Sequence, residues 1–157
     1  MNEIESKSPL QRARVRAGTV LSFLGLFTFV LGAAPQWFGL DRSAVVGFVQ
    51  IAVFLAGLGI ICIGGYICLD GLRDGIPRSL AQDIGQRLVS TGFVIAVFTG
   101  MADVFGFGSE TNPIVPSFGF WQTLGVLVGE LVVGIGFILL IPRASKIEPP
   151  IGQAEID

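Results

Sequence analysis

Histidine is absent from this chain of 157 residues, and cysteine occurs only twice. Without histidine, the commonest ligand for haem, zinc and copper and the commonest general base are both missing. No cofactor and no metal site is expected. Cys62 and Cys68 are separated by about 240° around a helix axis and match no CxxC redox or zinc pattern, so both read as small packing residues.

Charge is also scarce, at 14% of residues against 52% hydrophobic. No charged residue lies between Arg16 and Asp41 or between Arg42 and Asp70. A third uncharged run, Leu88 to Ala102, is broken by Asp103 and continues apolar to Phe107, and a fourth, Phe118 to Ile141, carries Glu130 alone. Such runs exclude a soluble domain and place the chain with integral membrane proteins. The expected fold is all-α, a single four-helix membrane domain over 1–157 with spans at 17–34, 44–69, 87–107 and 118–141. At 1.5 Å per residue the fourth run reaches roughly 36 Å, enough to cross a hydrocarbon core of about 30 Å with some tilt.

Lys7, Arg12, Arg14 and Arg16 precede an apolar run ending in Gly32-Ala33-Ala34, which imitates a secretory signal. Pro35 at the acceptor position and the length of the run favour a retained first helix. Ser8-Pro9-Leu10-Gln11 and Ser79-Leu80-Ala81-Gln82 both have the form of a capped helix start. In the first span Gly18, Ser22, Gly25 and Gly32 form one small-residue stripe, expected to face another helix. Pro35 ends that helix, and Asp41-Arg42 leaves room for only a tight turn, so spans one and two form an antiparallel hairpin.

Lysine and arginine fall unevenly beside the spans. The segment 1–16 holds four, the loop 70–87 holds Arg73, Arg78 and Arg87, and the tail 143–157 holds Arg143 and Lys146, whereas the hairpin connections hold Arg42 alone. The positive-inside rule therefore puts both termini and the central loop in the cytoplasm of a multi-pass protein of a plasma membrane, of the bacterial inner-membrane type. Trp37 and Trp121 then serve as interfacial anchors on the outer side.

The chain also matches itself. At an offset of 71, Ser8/Ser79, Gln11/Gln82, Arg16/Arg87, Phe27/Phe98 and Thr28/Thr99 coincide. At 72, the second and fourth spans share Gly47/Gly119, Phe48/Phe120, Gln50/Gln122, Gly57/Gly129 and Gly64/Gly136. Duplication of one hairpin, with halves 8–69 and 79–141, is the expectation. Gln50, Gly57 and Gly64, like Gln122, Gly129 and Gly136, recur every seven residues, which keeps each set on one helix-packing face.

Glu130 lies about 18 Å from either end of its span by helical rise, where an ionisable group costs roughly 2.5 kcal/mol or more and marks a candidate site. Thr123 lies seven residues before it, Thr99 is expected at similar depth, and Asp103 about one turn nearer the outside. A proton or cation path would use Glu130 and Asp103 in succession. Alternatively, Glu130 bonds to a neighbouring helix or to a partner subunit. No phosphate loop, nucleophile–base pair or nucleic-acid surface is present, and GLGIICIGG lies inside a span. These residues point to a non-catalytic accessory or assembly subunit of a larger membrane complex, embedded in lipid and binding other subunits. The alternative is a small oligomeric transporter or channel with Glu130 on its path.

Overall fold

A computed structural model of the protein describes residues 8–40, 47–73, 77–106 and 119–142. Among them are four α-helices, α1 (Pro9–Ala33), α2 (Phe48–Gly71), α3 (Leu80–Gly100) and α4 (Phe120–Leu140), with a 3₁₀ turn over Pro35–Phe38. Three of these, α1, α2 and α4, are long and apolar enough to cross a membrane, the make-up of a multi-pass membrane protein. The third helix falls short of that measure, because its first turns carry Gln82, Asp83, Gln86, Arg87, Ser90 and Thr91. Its end also differs from the expected span 87–107, since the chain turns over 101–106. Gly106, at φ 80°, takes a left-handed conformation there.

Local chemistry sets the helix ends. Ser8 caps α1 by accepting the Gln11 amide N–H at 3.2 Å. The Gln11 side chain, buried at 7% exposure, finds no partner among the described residues, so only half of the expected capping box forms. At α3 both halves form: the Ser79 Oγ accepts from the Gln82 N–H, and the Ser79 N–H donates to Gln82 Oε1 at 3.1 Å. At α4 the Gly119 N–H donates to Gln122 Oε1 at 2.8 Å. Pro35 opens the 3₁₀ turn after α1, and Gly39 closes it at φ 66°.

The helices pack as two antiparallel pairs. Along α1, the buried residues are Gln11, Gly18, Gly25 and Gly32, seven apart, and this stripe lies on α2. Gly18 meets Gly64 and Cys68, Gly25 meets Gly57 and Ile61, and Gly32 meets Phe54. A Cβ on Gly25 would stand 2.7 Å from the Ile61 nitrogen, closer than any side chain tolerates. In the second pair Gly85 meets Gly136, Gly92 meets Gly129, and a Cβ on Gly92 would stand 2.6 Å from the Gly129 carbonyl oxygen. With so little side chain between them, the backbones come nearly into contact, which is where membrane helices gain dispersion energy without a hydrophobic drive.

The two pairs meet through α2. Leu55 and Leu58 pack with Ala96, and Cys62 packs with Val89, Val133 and Leu140. Phe93 borders both clusters. Among the described residues α1 packs on α2 and on the 3₁₀ turn that follows it but not on α3 or α4, leaving a gap between the end of α1 and α4. Both cysteines are unpaired, with Cys62 buried in this core and Cys68 lying 3.4 Å from the Thr19 hydroxyl.

Candidate functional site

The gap between α1 and α4 holds a cavity of about 380 Å³, the product of one helix ending early. Because α1 ends at Ala33 while Gly32 lies against Phe54, the first turns of α2 extend beyond it. Gly32 and Ala33 at the end of α1 border the cavity, and half-buried Gln50 lines it with Ile51 and Phe54. On the far wall α4 contributes Thr123, Val126 and Glu130. The spacing of these last two polar residues, seven apart, puts both on the same face of α4.

Glu130 is the eleventh of the 21 residues of α4 and is half-buried. Among the described residues its carboxyl has no hydrogen-bond or ion-pair partner. The side of α4 next to it is open: a Cβ on Gly134, one turn on, would meet nothing within 4 Å. Thr123, on the cavity wall, donates its hydroxyl to the Gly119 carbonyl at 3.2 Å, and its oxygen can still accept a hydrogen bond. The site therefore offers one carboxyl, one amide and one hydroxyl on otherwise apolar walls.

The other two polar residues expected near Glu130 lie elsewhere. Thr99 donates to the Ile95 carbonyl of its own helix at 2.7 Å and presses its methyl against Gly125. Asp103 is exposed in the turn after α3 and does not line the cavity. The cavity thus brings together Glu130, Thr123 and Gln50, and leaves Thr99 and Asp103 apart. Gln50 is the member that periodicity grouped with the packing glycines instead, and its polarity within an apolar run was the available signal.

The glycines of the same heptads lie inside the helix pairs. Gly57 and Gly64 are buried against α1, and Gly129 and Gly136 against α3. Gln122, at 7% exposure, is buried at the start of α4, with its Nε2 unpartnered among the described residues. Trp37 and Trp121 are 76% and 71% exposed and stand at the same end of the bundle, after α1 and at the start of α4. Arg42 and the connections 41–46 and 107–118 lie outside the described residues, as do 1–7 and the tail from 143.

A polar cluster marks the opposite end. Arg78 donates to Gln86 Oε1 at 2.6 Å and to the Tyr66 hydroxyl, lies over the Tyr66 ring at 5.6 Å, and reaches Asp70 at 3.4 Å. Asp70 also pairs with Arg73 at 2.7 Å. The cluster ties the last turns of α2 to the first turns of α3. Among the described residues no group of three or more His, Cys, Asp or Glu side chains is placed to hold a metal ion. No protein-family model, curated protein or solved structure matches the chain, so the case for a function rests on its own residues.

Proposed function

We propose that this chain is a non-catalytic accessory or assembly subunit of a larger membrane complex, and that Glu130 is where a partner subunit engages it. In this reading four spans form two similar hairpins, with the termini and the 70–87 loop on the cytoplasmic side of a bacterial-type inner membrane. One observation carries the proposal: the Glu130 carboxyl sits mid-helix, opens on a cleft, and has no partner among the described residues. A carboxyl at that depth is costly unless something bonds to it. A donor on a helix of another subunit satisfies it directly.

Two further features support the same reading. Each small-residue seam is used up within its own pair, which leaves the apolar outer faces, exposed at Phe23, Leu127 and Leu131 among others, for lipid or a partner helix. The cross-helix contacts also follow the offsets of 71 and 72: Gly25 on Gly57 corresponds to Ala96 on Gly129, and Gly18 on Gly64 to Val89 on Gly136. Duplicated packing with an unduplicated carboxyl suits a scaffold that gained one docking point.

The alternative, an oligomeric transporter or channel for protons, ions or a small solute, is favoured by the grouping of Glu130, Gln50 and Thr123 around one cavity. Purification from native membranes in mild detergent separates the two. A stoichiometric set of larger partners, retained by the parent chain and lost from Glu130→Leu while that variant stays folded, supports the subunit. A homo-oligomer that conducts after reconstitution overturns it.

A further inference from the structure

The groove between α2 and α3 lies away from the Glu130 cavity, and its two halves differ in chemistry. Beside the start of α3 is a polar hollow of about 610 Å³, lined by Arg78, Asp83, Gln86, Arg87, Ser90 and Thr91. From it runs an apolar channel of about 460 Å³, bordered by Gly59, Cys62 and Ile63 of α2 and by Val89, Phe93 and Val94 of α3. Gln86 and Ser90 line both, so the hollow and the channel are continuous. Along α2 the channel extends from Tyr66 to Gly59, about 10 Å by helical rise, directed into the apolar part of the bundle.

We propose that this groove binds an anionic glycerophospholipid, with the phosphodiester between Arg78 and Arg87 and one acyl chain along the Ile63–Val94 channel. The charges match: Arg78 shares Asp70 with Arg73, and these three groups with Arg87 and the Asp83 carboxylate carry a net of one positive charge for one phosphodiester. Guanidinium presents paired N–H donors that fit phosphate oxygens, and basic pockets between membrane helices at the cytoplasmic face suit acidic headgroups. Arg78 is already held in place by Tyr66, Gln86 and Asp70, whereas Arg87 has no partner among the described residues. Ser90 donates its hydroxyl to the Gln86 carbonyl at 3.1 Å, and Thr91 adds a second hydroxyl on the rim.

The apolar channel selects a lipid over a free phosphate. Ile63 and Val94 are 58% and 62% exposed along it, so a chain laid between them covers surface that the helix contacts leave bare. At the inner end the Phe93 ring lies over Gly59, so close that a Cβ there would come within 3.1 Å of it, and this contact bounds the channel. This site does not depend on whether the protein is a subunit or a transporter, only on its lying in a bilayer.

The test uses the full chain in detergent, with thermal unfolding followed as phosphatidylglycerol, phosphatidylcholine or glycerol 3-phosphate is added. Ligand that binds only the folded form raises the unfolding temperature. Phosphatidylglycerol should do so at concentrations where the other two do not. Arg87→Gln should raise the half-saturating concentration about tenfold, the scale of one lost charge-assisted contact. Val94→Trp, which fills the channel from an exposed position and leaves the hollow intact, should weaken binding as well. Arg16→Gln, which removes the same charge from the exposed side of α1, should bind like the parent. Equal shifts with phosphatidylcholine, a full shift with glycerol 3-phosphate, or equal losses in Arg16→Gln and Arg87→Gln would each overturn the site. So would unchanged binding by Val94→Trp.

Discussion

Gly129 lies directly against Ala96, such that a Cβ on the glycine would stand 2.7 Å from the Ala96 nitrogen. In the first pair Gly57 occupies the corresponding place and meets the backbone of Phe29 and the stripe of Gly25. Neither Gly57 nor Gly129 has room for a side chain, because the nearest atoms are backbone and cannot rotate away.

Leucine at Gly57 or Gly129 should therefore force its helix pair apart, costing about 1 to 3 kcal/mol, the range for overpacked cores. Val128, next to Gly129 in sequence but 47% exposed, should accept leucine within about 0.5 kcal/mol. Thermal unfolding in one detergent checks all three variants. Equal stability of both glycine variants and the parent would remove the seams as the source of cohesion.

How far the sequence could be read follows from the same residues. The apolar runs locate α1, α2 and α4, because an uncharged stretch of bilayer length has few other folds open to it. Heptad glycines on α2 and α4 mark the seams, since backbone contact demands small residues at a fixed period. Hydropathy does not report where helical hydrogen bonding stops. The run to Phe107 is apolar but for Asp103, yet α3 gives way to turns from Met101, around Asp103 and Gly106. Gln50 escapes the pattern for a different reason. Its heptad position places it with Gly57 and Gly64, but whether a neighbour covers that face depends on where α1 ends, and no local pattern in α2 encodes the length of α1.

The capped start of α3 gives a second measurable quantity. Ser79→Ala removes the acceptor for the Gln82 N–H and should cost about 1 kcal/mol, while Ser79→Asp keeps an acceptor at the N-cap and should stay close to the parent. Denaturation in detergent, or hydrogen exchange over Leu80–Ile84, reads the difference. Identical exchange in the alanine variant would mean that contacts with α2 alone hold that turn.

Orientation is open to a direct chemical test. In a background with Cys62 and Cys68 replaced by alanine, single cysteines at Gln36 and Leu80 lie on exposed positions at opposite ends of the bundle. The nine-to-one basic asymmetry predicts that an impermeant thiol reagent added to intact cells labels position 36 and spares position 80. Labelling of position 80 alone would invert the protein and place the arginine groove at the outer leaflet.

The final prediction separates the two readings of Glu130. Since no described residue bonds to its carboxyl, Glu130→Gln removes no contact within the chain and should change stability by less than about 1.5 kcal/mol, the upper end for one neutral hydrogen bond. If a partner donor engages the carboxyl, the glutamine side-chain carbonyl still accepts a hydrogen bond, so the complex should weaken but persist, and Glu130→Leu should lose it. If instead the carboxyl carries protons or cations along the cavity it shares with Gln50 and Thr123, glutamine cannot titrate or bind a cation strongly. Assembly would then survive both substitutions while flux in reconstituted vesicles disappears. Measuring partner retention and flux on the same two variants decides the matter, because each reading predicts loss where the other predicts survival.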